Sequence, residues 1–450
     1  MIEDKNYIQL VFLHIFIGFI IFLFEPLAKF YFILLMVYFM GRIILVKSNA
    51  KTYEVFLACA YFTGAEVLFR MTKGGISYEA SKYLVILFTL MGMFYKGISG
   101  KGYPYFIYLI LLVPSILVGS ITLNFDANFR TATAFVLSGP VCLGIAALFC
   151  YDRKITMTKL LNVILYMVLP IITTTTYLFL YNPSIKDTLS GTYSNSATSG
   201  GFGPNQVATI LGLGMFIMVV RIFMRSPNML IKIINLVLLG AMTFRAFVTF
   251  SRGGVFAAII VVAAFLATYF MYSNWKQKSQ IIGSFILLTL ALVVTWVISS
   301  NQTLGLLDKR YANEDALGRE KTDITTGRLE LLKEEIAGFL DMPFLGIGVS
   351  KTQNLREEKI GRKLPSHNEI GRLLSEHGLF GIVILLILII KPLAFRGVNR
   401  KNYFFYAFLA FWFATINHSG MRIAAPSFLY ALALLNVVHE KHLIHRKQIT

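Results

Sequence analysis

Residues 253–299 read GGVFAAIIVVAAFLATYFMYSNWKQKSQIIGSFILLTLALVVTWVIS. Two apolar runs, 253–272 and 280–299, flank a short polar connector that carries Lys276 and Lys278. A helix needs about 20 apolar residues to cross the hydrocarbon core of a bilayer, and both runs meet that length. The pattern recurs along the chain. Fourteen segments reach spanning length or come near it: 7–24, 28–46, 53–70, 80–96, 104–123, 131–151, 159–181, 205–224, 229–249, 253–272, 280–299, 367–391, 402–417 and 421–439. The third, fourth, thirteenth and fourteenth are the weakest of these. Over its 450 residues the chain is 56% hydrophobic and only 14% charged, where soluble domains carry about a quarter charged residues. Soluble domains, a secreted disulfide scaffold and a disordered chain are thereby excluded. The expected fold is all-α, a polytopic transmembrane helical bundle of about 12–14 spans. Cys59, Cys142 and Cys150 all sit in apolar runs and report packing rather than redox chemistry.

The short loops set the orientation. With the N-terminus inside, the inner connections carry Lys47 and Lys51, Lys96 and Lys101, Arg153 and Lys154, Arg221 and Arg225, Lys276 and Lys278, and Arg396 and Arg400. Outer loops are poorer in Lys and Arg, with Arg70–Lys73 the main exception. This follows the positive-inside rule with both termini cytoplasmic. The first segment lacks a basic flank and a small-residue cleavage site, so it reads as a retained helix. The net charge of +19 is explained by these loops without invoking nucleic acid.

Two outer segments interrupt the spans. Residues 182–204 are rich in Ser, Thr, Gly and Asn. Residues 300–366 hold eleven Lys/Arg and eleven Asp/Glu, so the whole +19 resides elsewhere. The expected organisation is a transmembrane region 1–299, an outer (periplasmic) loop region 300–366 with a short surface helix, C-terminal transmembrane helices 367–440, and a cytoplasmic tail 441–450.

Four constellations on the outer side carry chemistry. Ser251-Arg252-Gly253-Gly254 opens the tenth span. Ser251 is placed to cap it, Arg252 falls in the first turn, and the glycines permit close approach of a ligand. A helix N-terminus with an arginine is an anion site in outline, although an interfacial arginine snorkelling to headgroups reads equally well. Thr325-Thr326-Gly327-Arg328 opens LELLKEEIAGFL, where Leu329, Leu332, Ile336 and Phe339 recur at helical spacing. This predicts an amphipathic helix on the outer membrane surface with Arg328 in its first turn. Pro365-Ser366-His367-Asn368-Glu369 opens the twelfth span. Ser366 and Glu369 have capping-box spacing, which puts His367 at the first helical position. A helix N-terminus disfavours imidazolium, and a neutral imidazole can act as a general base, although a capping or loop histidine is the plainer alternative. Arg372 and Glu376 share one face deeper in that helix, where charges line a cavity rather than face lipid. Gly203-Pro204-Asn205-Gln206 opens the eighth span, with Pro204 a helix-start cue. The eighth, tenth and twelfth spans all begin on the outer side, so these groups converge there. Walker, Rossmann, HExxH and CxxC patterns are absent.

The run from SRGG through TGRLELL and PFLGIGVSKTQN to SHNEIGRLLSEHGLFGI, across 251–381, resembles the O-antigen ligase and polymerase superfamily. The first 200 residues match it only as generic spans. The resemblance implies a GT-C-type membrane glycosyltransferase of the bacterial inner membrane, acting on the periplasmic side without metal or other cofactor. Such an enzyme takes a glycan from undecaprenyl diphosphate and passes it to an acceptor hydroxyl. The acceptor is lipid A–core for a ligase and the next lipid-linked repeat for a polymerase; a related branch glycosylates proteins. Carried over residue by residue, Arg252 and Arg328 hold the pyrophosphate and His367 is the base or orients the acceptor. Asn205, Ser251, Asn368, Arg372 and Glu376 are expected to bind substrate, and membrane lipid is a partner because the prenyl tail must enter between helices. Arg328 and His367 are only 39 residues apart, whereas ligases often carry a larger insertion there, which leaves room for polymerase activity. The rival class is a lipid-linked oligosaccharide flippase or other transporter. Those commonly show internal repeats and a midplane site, and neither pattern is found in this sequence.

Overall fold

The computed structural model describes residues 4–124, 128–182, 184–189, 191–362, 364–397 and 399–438. The tail 441–450 lies outside the described residues. Ten helical stretches are long and apolar enough to cross a membrane. They are α1 (Asp4–Leu23), α2 (Leu27–Leu45), the joined pair α5 (Tyr103–Leu111) and α6 (Val113–Thr122), α7 (Phe129–Cys150), α8 (Met157–Tyr181), α9 (Pro204–Met224), α10 (Met229–Phe247), α11 (Arg252–Tyr272), α12 (Trp275–Gln302) and α17 (Leu379–Arg396). The four segments read as weakest are also helices: α3 (Lys51–Met71), α4 (Ala80–Lys96), α18 (Phe405–Ile416) and α19 (Ala424–Ala433). The chain is an all-α polytopic bundle. Among the described residues the extended structure is a parallel pairing of β1 (Lys154–Thr156) with β2 (Asn436–Val438) and an isolated bridge between Glu314 and Glu320.

Packing explains why the weak segments are weak. Helix α3 is buried along nearly its whole length and carries Glu54, Glu66 and Arg70 inside the protein. Protein groups, not lipid, surround it, so it need not be uniformly apolar. Helix α9 is likewise buried almost throughout. Peripheral α12 instead leaves Ile282, Phe285, Ile286, Leu290, Val293 and Val297 exposed. An apolar face of that extent without a protein partner belongs in lipid.

Short helices cluster at the end of the bundle where α9 and α11 begin: α13 (Leu306–Tyr311), α14 (Arg328–Asp341), α15 (Lys351–Ile360) and α16 (Glu369–His377). The twelfth span is therefore not one helix from residue 367. It breaks at Gly378, whose φ is +60°. A Cβ there would lie 2.5 Å from the Pro343 carbonyl oxygen, and that same oxygen accepts from Leu379 N at 2.7 Å. The Pro343–Gly348 turn wedges into the break: a Cβ on Gly346 would meet the Glu376 backbone at 2.4 Å, and one on Gly348 the Gly119 backbone at 2.5 Å. The separate α16 packs on α14 and α17, so Glu376 does not lie deeper along a continuous span.

On α14 the expected apolar stripe is turned outward at Leu329 and Ile336 and half-buried at Leu332 and Phe339. Glu335 and Gly338 face the protein, while Leu329, Ile336 and Leu340 are exposed, followed by exposed Met342, Phe344 and Leu345. An apolar strip turned away from the protein beside polar flanks is what an interfacial helix presents to lipid.

Candidate functional site

The arginine-bearing helix starts are built alike. In each, a non-glycine residue two positions before the arginine occupies the left-handed region, Phe250 at φ +58° and Thr326 at φ +54°. Such a backbone persists only where surroundings fix it. The Phe250 carbonyl accepts from Arg310 Nε at 3.0 Å and Ser194 Oγ at 3.3 Å. The Thr326 turn is held by Asp323, whose carboxylate accepts from Thr325 N at 2.7 Å and from the Gly327 amide. Those bonds pull the Asp323 carboxyl below its usual range.

Ser251 stands at the N-cap of α11 but makes no capping bond. Its hydroxyl donates to Asn205 Oδ1 at 2.7 Å and ties α11 to the start of α9. The glycines after Arg252 serve helix contact. A Cβ on Gly253 would meet the His418 ring at 2.6 Å, and one on Gly254 the Ala208 carbonyl carbon at 2.6 Å. Gly254 thus serves close packing of α9 and α11, while Gly253 packs on the turn after α18 and also borders a cavity together with Arg252.

At the third constellation the cap is Asn368, not Ser366. Asn368 Oδ1 accepts from Ile370 N at 2.8 Å and Gly371 N at 3.3 Å. Ser366 Oγ donates to the Asn368 carbonyl at 2.8 Å, and Glu369 pairs with Arg372 instead of reaching back. No capping box forms, and His367 precedes α16 rather than occupying its first turn.

These pieces enclose one cavity of about 350 Å³. Arg252 and Ser251 from α11, Arg328 from α14, and His367 and Asn368 border it together. So does Arg310 from α13, which the sequence reading did not single out. Among the described residues, no carboxylate lies within salt-bridge distance of Arg252, Arg310 or Arg328. Arg252 Nη2 donates to the Ile324 carbonyl at 2.9 Å. Burial and the neighbouring guanidiniums of Arg252 and Arg328 lower Arg310 to about 10. Burial and Arg252 lower Arg328 as well. Glu335 also borders the cavity, but Arg356 Nη2 donates to its Oε1 at 3.0 Å. Burial, then the charges of Arg422 and Arg328, push His367 down to about 3. The imidazole is therefore neutral, and its Nδ1 is buried without a hydrogen-bond partner.

Arg372 and Glu376 do not border this cavity. Arg372 is buried between Glu369 and Glu376, with Nη1 2.9 Å from Glu376 Oε2. The three line a narrow cleft on the other side of the 365–368 segment. Asn205 touches the cavity wall only through Ser251. The 182–204 segment approaches as well: Ser194 is on the rim, and Thr198 and Asn182 offer their carbonyls to buried Arg245 at 2.8 and 3.3 Å.

Three guanidiniums around one pocket with an uncharged imidazole at its edge form a site for a multiply charged anion beside a proton acceptor. No match was found among curated proteins. Residues 234–386, which contain Arg252, Arg310, Arg328 and His367, match the family model described as O-Antigen ligase. The matched stretch, about a third of the chain, is thus similar to the O-antigen ligase family, and it is the stretch that carries the four cavity residues.

Proposed function

We propose that the protein transfers a glycan from undecaprenyl diphosphate to an acceptor hydroxyl, lipid A–core in the ligase reading, on the periplasmic face of the bacterial inner membrane. The observation that carries this reading is the trio Arg252, Arg310 and Arg328 around one cavity with no carboxylate paired to them among the described residues. A diphosphate diester supplies the missing negative charge, and planar guanidiniums bind its oxygens in pairs. The acceptor oxygen attacks the anomeric carbon while the bond from that carbon to the diphosphate oxygen breaks. The bonding electrons leave with the diphosphate, where the arginines stabilise them. The acceptor proton passes to the neutral imidazole of His367. Ser251 and Asn368 border the same space and are placed to orient the donor. Arg372 and Glu376 are assigned to supporting the His367 segment rather than to substrate contact. The short interval between Arg328 and His367 favours a polymerase as the second reading, with another lipid-linked repeat as acceptor.

The test is incubation of the purified protein with undecaprenyl-diphosphate glycan and each acceptor, following release of the lipid diphosphate. His367→Ala is expected to lower transfer by about 10²–10⁴-fold with donor binding nearly intact. Near-normal turnover by that variant removes the histidine from the mechanism. Movement of glycan-lipid across vesicles without bond cleavage identifies a flippase instead. The metal-free reading is tested with EDTA: activity lost and then restored by Mg²⁺ or Mn²⁺ overturns it.

A further inference from the structure

The turn 417–423 between α18 and α19 touches the site from beneath. His418 packs against Gly253, Asn417 borders the cationic cavity, and Arg422 reaches the segment that carries His367. Arg422 Nη2 donates to the Ser366 carbonyl at 2.7 Å and to the Pro365 carbonyl at 3.3 Å. Those are the two peptide oxygens immediately before His367. On the far side of the same segment, Asn368 is fixed as the cap of α16.

The Arg422 backbone is itself anchored. Its carbonyl accepts from Arg70 Nη1 at 2.8 Å, and the Glu66 carboxylate accepts from Ala424 N two residues on. Arg70 is clamped between Glu66 at 2.5 Å and Glu79 at 3.1 Å. Its guanidinium lies 4.2 Å from the Tyr78 ring centroid, and Ser138 Oγ donates to Glu79 at 3.0 Å. The outer-loop arginine that broke the positive-inside pattern is thus neutralised, and it has a structural task. A continuous set of charged and hydrogen-bonded groups runs from α3, α4 and α7 to the peptide that precedes His367.

We propose that Arg422, braced by Glu66, Arg70 and Glu79, is a positioning residue that fixes the Pro365–Ser366 peptide and so sets where the His367 ring stands relative to the cationic cavity. A single guanidinium spanning consecutive carbonyls restrains both position and peptide tilt, which a lysine's point donor does not reproduce. The charged and titratable groups that act on the ring are Arg422 and His418 of the turn and Arg328 of α14, and Arg252, Arg310 and Glu335 border the same cavity. The proposal rests on the transfer reading given above.

The experiment compares Arg422→Gln and Arg422→Lys in the full-length protein in nanodiscs. Hydrogen exchange of the amides at 364–368, measured without substrate, should accelerate in Arg422→Gln and rise less in Arg422→Lys. Transfer should fall by roughly 10–100-fold in kcat for Gln, since small misplacement of a reacting group costs about that much. Lys should restore part of it, with donor KM unchanged in both. If Arg422→Gln fails to fold, Arg422→Lys alone decides through the same two measurements. Unchanged exchange and unchanged kcat overturn the proposal, and so does a loss that appears wholly in donor KM. If His367→Ala transfers normally while Arg422→Gln still frees the segment, the base assignment fails and the clamp stands.

Discussion

A donor diphosphate must change the basicity of His367, and the direction is fixed by the charges around it. In the empty site, burial with Arg422 and Arg328 holds the imidazole at about 3. Against an ordinary value of 6.5, that is roughly 5 kcal/mol against the imidazolium. So weak a base is poorly matched to catalysis near pH 7. A diphosphate ester brings two negative charges that remain ionised across the working range. At a separation of about 7 Å and an effective dielectric of about 20, each contributes about 2 kcal/mol in favour of the imidazolium. Together they return the histidine to about pH 6, so the donor switches on its own base. The assay is the pH dependence of glycan transfer, where kcat/KM reports the free enzyme and kcat the loaded one. The kcat profile should fall on the acid side near pH 6, while kcat/KM stays flat down to the lowest pH the protein tolerates. Arg328→Gln removes one positive neighbour and should raise the free-enzyme value, bringing an acid limb into the kcat/KM profile. Coincident limbs near pH 6.5, or a kcat limb at lower pH than that of kcat/KM, would refute the electrostatic coupling.

Arg310→Gln should weaken binding of a prenyl-diphosphate analogue by about tenfold or more, the usual loss for one charge-assisted hydrogen bond, and Arg310→Lys should not restore it; wild-type affinity in either removes Arg310 from the donor site. A cysteine at Asn313 should react with an impermeant reagent applied to intact cells, and labelling only after lysis would reverse the orientation and with it the periplasmic site. Arg356→Met should lower stability by about 3–5 kcal/mol, because it strands a buried carboxylate, whereas Arg328→Met should leave thermal melting in detergent unchanged or raised. Equal losses in those two variants would mean that the cavity arginines are structural.

What could be read from the sequence was local. Arg252 and Arg328 lie in the four-residue motifs SRGG and TTGR, and the structure places both on one cavity. The spans were legible because a 20-residue apolar run has few alternatives. Arg310 was hidden in a loop with as many acids as bases. Only the return of α13 to the Phe250 carbonyl distinguishes it from Arg319, which pairs with Asp315 on the surface. In Ser366-His367-Asn368-Glu369 the capping-box spacing points to Ser366 as the cap. Asn368 prevails because Glu369 is taken by Arg372, a partner three residues on. The break at Gly378 needed knowledge of the Pro343 carbonyl, 35 residues earlier in the chain. Arg422 fell at the start of the weakly marked fourteenth span, and its meaning depends on Arg70, far earlier in sequence.

The distribution of carboxylates separates architecture from function at this end of the bundle. Arg356 is buried and meets Glu334 at 2.9 Å and Glu335 at 3.0 Å. Arg372 is buried and meets Glu369 and Glu376. Arg70 is buried and meets Glu66 and Glu79. Each of these arginines draws two acids, from its own helix or from the chain beside it, as expected where a desolvated guanidinium must be compensated within the protein. Arg245 and Arg422 are compensated by backbone carbonyls. Acids are therefore not scarce here, and the 300–366 segment alone holds eleven. Yet Arg252, Arg310 and Arg328 converge on a shared space with no acid paired to any of them among the described residues. Like charges gathered in that way raise the energy of the empty protein, and each depresses the basicity of its neighbours. Beyond the Arg310 bond to the Phe250 carbonyl and the Arg252 bond to the Ile324 carbonyl, fold stability gives no reason to gather three guanidiniums here, because burying like charges together is costly. A bound polyanion does give one: it receives the full benefit of the uncompensated charge, and when the leaving diphosphate accumulates negative charge during bond cleavage, the same three groups stabilise it without having to reorganise.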